Sequence, residues 1–181
     1  MYPNKHKQIV TSLMDGRFIT IDESYFDIVK ENQDFYVDFF DKSFGFELKS
    51  NQEFYYLISG ETNENTSRDI SIFFSVFCYE LDKDGKNFMD ELGFSDFHIE
   101  EIIEYIKNST WTDIVKSNKQ LNDADSIKRL VGSTMVKRNI AIKHSDDKYS
   151  FTKAYKLFID FTRELIKSEL NNANAINKTE N

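Results

Sequence analysis

Cysteine occurs once in the 181 residues, as Cys78, so the chain can close no disulfide on itself and build no cysteine-based zinc site. Histidine is nearly as scarce. His6, His98 and His144 are scattered, which leaves little for a histidine metal site. The single proline stands at position 3 and there are six glycines, so Pro- or Gly-rich linkers and a Gly-rich phosphate loop are both missing. No run of 18 apolar residues occurs, which excludes a transmembrane helix, and residues 1–14 lack the apolar stretch of a secretory signal. A cytoplasmic location is therefore expected. What the chain has in plenty is aromatic: 17 Phe, nine Tyr and one Trp, within an apolar share of 40%. Rings bury large areas, so the expected core is built on phenylalanine, in one mid-sized domain or two small ones.

Charge is unevenly spread. The net value of −8 argues against nucleic-acid binding by the chain as a whole. Residues 15–104 hold 22 Asp+Glu against 7 Lys+Arg, a net of −15, whereas residues 123–156 hold 8 Lys+Arg against 4 Asp, a net of +4. An acidic body with one basic segment points to two kinds of surface.

The pattern along the chain predicts helices with small β-hairpins. A helix ends near Met14, Asp15-Gly16 turns, and Arg17–Ile21 reads as a strand. Asp22 is placed to cap a helix over Glu23–Lys30. Phe35, Tyr36, Phe39 and Phe40 share one face of the next helix, which Gly45 stops. Phe46–Leu48 and Phe54–Ile58 then read as a hairpin. Helix, strand, helix, helix, hairpin is the order of a winged helix. The polar run Gly60–Ser67 is the expected internal break. Beyond it the order recurs: an apolar helix over Ile70–Leu81, a rung at Phe97, an amphipathic helix over His98–Lys107, a helix from Asp123 or Asp125 to Arg138, and a hairpin around Ser145-Asp146-Asp147. Thr152 caps a last helix carrying Tyr155, Phe158, Phe161, Leu165 and Ile166. The reading is therefore mainly α with small β-hairpins, as tandem winged-helix domains over 5–60 and 68–170, followed by a disordered tail over 171–181.

Nothing marks an enzyme. Asp82-Lys83-Asp84-Gly85 opens like a calcium loop, but position 12 falls on Gly93 or Ser95 where Glu is needed. Paired carboxylates such as Glu100/Glu101 read as solvated faces in so acidic a chain. Cys78 sits among apolar residues mid-helix, where a thiol is a small hydrophobe rather than a nucleophile. His98 reads as a capping or surface residue, and His144 as solvated at the hairpin tip. No cofactor is expected. The chemical signal lies instead in the helix 123–138. At 100° per residue, Ile127, Leu130, Val131 and Met135 form its buried stripe, while Arg129, Gly132 and Ser133 face outward with Lys128 and Lys137 at the edges. Small residues permit close approach to DNA and cations neutralise phosphates. Lys143 and Lys148 of the following hairpin add a wing contact.

Three stretches carry a resemblance. Leu13-Met14-Asp15-Gly16-Arg17-Phe18-Ile19-Thr20-Ile21-Asp22-Glu23 resembles the opening of the MukE/MksE family, accessory subunits of bacterial condensins. Glu47-Leu48 followed by Phe54-Tyr55-Tyr56-Leu57 is similar to that family's first hairpin, and His144–Thr152 to its second wing. Together they bracket residues 13–158. The chain is shorter than the best-known MukE proteins and has fewer arginines in its second recognition helix, which favours the MksE branch. The resemblance implies tandem winged helices without enzymatic activity. It further implies a homodimer that binds the kleisin subunit of an SMC-type complex at the nucleoid and helps it hold DNA, in chromosome segregation or plasmid defence. It carries a DNA-contact role to Lys128, Arg129, Lys137, Arg138, Lys143 and Lys148. Their face has no Asn, Gln or Arg cluster suited to base edges, so weak binding that ignores base sequence is expected. The acidic first two-thirds then suits a basic kleisin segment. A free-standing winged-helix regulator is the alternative.

Overall fold

The computed structural model describes residues 2–58, 64–160 and 162–163. The chain is mainly helical with two small antiparallel sheets. The first half runs α1 (His6–Met14), β1 (Ile19–Thr20), α2 (Ser24–Glu31), α3 (Gln33–Phe44), β2 (Glu47–Ser50) and β3 (Phe54–Ile58). Its sheet has the order β1-β3-β2, with Ile19 opposite Tyr55 and Leu48 opposite Leu57. Gly45 ends α3 in the left-handed region at φ 67°, and Phe46 N–H reaches back to the Phe40 carbonyl at 3.2 Å. That closure satisfies a carbonyl which would otherwise lack a partner.

The second half runs α4 (Glu64–Lys83), α5 (Phe88–Phe94), β4 (Phe97–His98), α6 (Ile99–Lys107), α7 (Thr112–Ser117), α8 (Ala124–Arg129) with a π-turn (Leu130–Met135), β5 (Ala141–Lys143) and β6 (Lys148–Phe151). A further helix covers 155–160. The sheet order β4-β6-β5 repeats that of the first half.

Several boundaries differ from the sequence reading. The strand expected over Arg17–Ile21 keeps only two residues. Glu23, not Asp22, stands at the N-cap of α2, and its carboxylate accepts from Thr20 N–H at 3.0 Å. Residues 64–67 belong to α4, although no apolar residue announces them. Ser71 and Ser75 bond back to the carbonyls of Ser67 and Ser71 at 2.9 and 2.6 Å, which lets polar side chains sit on a helix. Two helices have no counterpart in the sequence reading. α5 is short but capped by Asn87, whose side chain accepts from Met89 and Asp90 N–H. α7 has six residues, too few to show a period. The remainder of the expected break, Phe161, Leu165 and Ile166 of the last helix, and the tail 171–181 lie outside the described residues.

Two apolar cores result. One holds Ile9, Leu13, Ile19, Phe26, Val29, Tyr36, Phe40, Leu48 and Tyr55. The other is centred on α4, where Ile70, Phe73, Phe74, Val76, Phe77 and Leu81 are all buried. Phe18 and Phe54 come from the first half yet belong to this second core, with Phe18 packed on Phe158 at 6.0 Å. That explains why Phe54 and Tyr55, neighbours that point to opposite faces of β3, are both buried. Tyr55 meets Phe26 at 5.2 Å in its own core, and Phe54 meets Phe18 at 5.7 Å. Lys156 and Glu53 add an ion pair across the halves at 2.6 Å.

Candidate nucleic-acid interface

The helix 124–137 starts as the sequence predicts. Asp123 is its N-cap: Oδ1 accepts Ser126 N–H at 2.8 Å and Oδ2 accepts the Ser126 hydroxyl at 2.9 Å. Those bonds hold the Asp123 carboxyl below the usual carboxylate range. Arg129 donates to the same hydroxyl at 3.0 Å, so the cap also steadies the first arginine.

The π-turn is invisible to a straight-helix reading, and it redistributes the face. With Lys128 at 0°, a regular helix puts Val136 at about 80°, Lys137 at about 180° and Arg138 at about 280°. The last of these lies inside the buried stripe. One π-turn adds about one residue, or about 100°. Val136 then moves to about 340°, Lys137 to about 80° and Arg138 to about 180°. The burial agrees. Val136 packs against the core, Lys137 is exposed and Arg138 is half-buried. Lys137 thereby shares a side with Arg129, which sits at about 100°. Ile127, Leu130, Val131 and Met135 remain buried as expected.

Two expected features change. Arg138 does not stand on the outward face. Burial lowers its pKa from the ordinary arginine value, and its carbonyl accepts Phe18 N–H from the first half at 2.9 Å. Gly132 is half-buried and offers no gap to a ligand, since a Cβ there would meet the Tyr149 hydroxyl at 2.9 Å. Its smallness seats Tyr149 of β6 on the helix.

Three of the remaining cations have carboxylate partners. Lys128 Nζ lies 3.7 Å from Glu100, Lys143 Nζ 2.8 Å from Asp146, and Lys148 Nζ 2.9 Å from Asp96. The hydrogen bond to Asp146 raises the Lys143 pKa. Among the described residues, Arg129 and Lys137 make no ion pair. His98 stands exposed at the N-cap position of α6, where its side chain meets Asp147 at 3.3 Å instead of a backbone N–H, and His144 lies exposed between Ser150 and Asp96. The Asp96 side of this hairpin escaped the sequence reading, because a contact between residues 96 and 148 has no local signature.

The site suits anion contact better than covalent chemistry. Ser150 and Asp96 both approach Nε2 of His144, whereas a nucleophile relay needs the carboxylate on Nδ1. Burial pushes the Cys78 thiol up to about 12, far from thiolate reactivity. Among the described residues no three His, Cys, Asp or Glu side chains are placed to hold a metal, and no helix is long and apolar enough to cross a membrane.

No curated protein matches the chain. Residues 4–163 match the family model of the condensin complex protein MksE. The match takes in both sheets, the π-turn helix and the β5–β6 hairpin, and its residues include all three stretches that carried the resemblance. The chain belongs to the MksE family, a condensin subunit family whose partners lie within an SMC-type complex.

Proposed function

We propose that the chain is a non-enzymatic accessory subunit that binds the kleisin of its complex as a homodimer and lends it a weak DNA contact. In this reading the repeated element order and the repeated sheet order make two winged helices, near residues 5–60 and 68–170, with the protein working in the cytoplasm at the nucleoid. The DNA contact falls on Lys128, Arg129, Lys137, Lys143 and Lys148. The observation that carries it is the alignment of Lys137 with Arg129 by the π-turn, beside Lys128, on the one basic segment of an acidic chain. These side chains suit phosphates, and no Asn or Gln cluster stands with them to read base edges. The acidic stretch over residues 15–104 repels DNA and suits a basic partner segment.

Two measurements test this. The full chain should co-purify with the kleisin of its own complex and change mass from dimer to complex in light scattering. It should bind any duplex at low salt with a log-log salt slope of about −4.5 for five phosphate contacts. Charge reversal at Lys128 and Arg129 should remove most DNA affinity and leave kleisin binding intact. Unchanged DNA affinity in that double variant would reduce the helix to a solvated face and leave a scaffold role alone. A stable monomer indifferent to the kleisin would favour a free-standing regulator instead.

A further inference from the structure

On the outer face of the second sheet, two nitrogen groups meet one carboxylate, and a hydroxyl backs one of them. Along β6, Tyr149 and Phe151 turn into the core while Lys148 and Ser150 point the other way, and His144 follows β5 opposite Lys148. Lys148 Nζ stands 2.9 Å from Asp96 Oδ2, and His144 Nε2 stands 3.5 Å from Asp96 Oδ1. The Ser150 hydroxyl lies 2.7 Å from His144 Nε2. The two oxygens of one anion thus meet two different nitrogen groups, with a hydroxyl behind them. A phosphodiester presents its two non-bridging oxygens in the same way.

We infer that Lys148, His144 and Ser150 form a backbone-phosphate site and that Asp96 fills it in the DNA-free chain as an internal stand-in. The inference rests on the DNA-contact reading above and supplies one of its ligand sites together with the group that competes for it. Asp96 is 40% exposed at the side chain and immediately precedes β4, so it can swing clear without disturbing the core. The Lys148 hydrogen bond holds its carboxyl below the usual range, so it is a full anion at neutral pH. Lys128 with Glu100 and Lys143 with Asp146 are two further exposed lysine–carboxylate pairs, each a single contact. Exposed pairs of this kind are weak and easily exchanged for a phosphate. A DNA strand arriving on the wing therefore replaces carboxylates already in place, and the affinity of the isolated subunit is set by that exchange.

The test is fluorescence anisotropy of the full chain with a short labelled duplex at low salt. The variants are Asp96→Asn, Asp96→Ser, Lys148→Gln and Asp96→Asn/Lys148→Gln. Asp34→Asn, an equal change of net charge on α3 of the first half, is the control. Either Asp96 variant should bind about three- to fivefold tighter than the wild type, clearly more than Asp34→Asn. In the Lys148→Gln background the Asp96 substitution should give no gain beyond that control. If the wild type binds and neither Asp96 variant exceeds Asp34→Asn, or if the gain survives without Lys148, the site is wrong while the DNA-contact reading stands. If no variant binds duplex at low salt, wild type included, that reading falls and the site falls with it.

Discussion

Asn139 Nδ2 donates to Glu23 Oε2 at 2.7 Å, joining the last turn of the basic helix to the second helix of the other half. The same amide reaches the Phe18 carbonyl at 3.0 Å, and Glu23 is also paired with Arg17. Asn139 adopts φ 58°, a left-handed conformation that asparagine tolerates better than most residues, and it is buried. Arg17 thus holds in place the Glu23 carboxylate that fixes Asn139, where the helix ends and the chain turns toward β5.

Replacing Asn139 with Ala should cost about 2–4 kcal/mol in urea unfolding. About 1–3 of that follows from acceptors left without their donor, and about 1 from putting alanine, which lacks asparagine's tolerance of it, in the left-handed region. Asn139→Gly relieves only the second cost, so it should be about 1 kcal/mol more stable than the Ala variant. Equal stabilities would mean that the backbone at 139 carries no strain.

Gly132→Ala sets two effects against each other. Alanine favours helix by up to about 1 kcal/mol, but its Cβ would meet the Tyr149 hydroxyl at 2.9 Å, and overpacking costs about 1–3 kcal/mol. Tyr149 is only 5% exposed and cannot swing away cheaply. The variant should therefore be destabilised. Adding Tyr149→Phe removes the clashing oxygen and leaves Cζ at 3.5 Å, an ordinary contact, so the double variant should recover most of the loss in thermal melting.

The rotation by the π-turn can be read from salt dependence. Arg129→Gln and Lys137→Gln should each flatten the log-log slope of duplex binding by about 0.9. Arg138→Gln should leave the slope unchanged and lower Tm, because that side chain is half-buried at the junction with the first half. A slope that falls with Arg138 and not with Lys137 would restore the straight-helix face.

Glu80 is 6% exposed, a carboxylate buried on α4. Burial pushes its pKa up, but the Ser109 hydroxyl at 2.8 Å, Thr110 N–H at 3.0 Å and Lys83 outweigh that, and the net shift is downward. Its folded pKa lies below its unfolded value. The stability it contributes is therefore complete above the ordinary glutamate pKa of about 4.3 and is lost as pH falls through the lowered one. Glu80→Gln should cost about 1–3 kcal/mol at pH 7 and make unfolding less steep with pH below 4.3, by chemical denaturation at several pH values.

Local signals made much of the fold legible. The ring spacing of α3, Gly45 at its end, Asp123 at the start of α8 and the Ser145-Asp146-Asp147 turn each act within a few residues, and each stands where the sequence put it. What could not be read is non-local. No spacing within residues 124–137 announces the π-turn, the Asp96–Lys148 pair spans 52 positions, and Gly132 is small because of a tyrosine 17 residues later. The candidate interface was legible as a set of cations. Their grouping, their carboxylate partners and the withdrawal of Arg138 were not, because each is decided by what packs across from it.

Phe18 and Phe54 have a consequence in time as well as in space. Both rings are needed in a core completed only by residues near Phe158, roughly 100 positions after Phe54. At a synthesis rate of about 5–20 residues per second, the growing chain displays those rings uncovered for roughly 5–20 s. The first half can close its own core around Tyr36 and Phe40 during that interval, but its far face stays sticky until the ribosome has delivered the last helix. The newborn chain is thus most prone to misassociate when about half of it has been made, and slowing translation across α4 to α7 should lower the soluble yield.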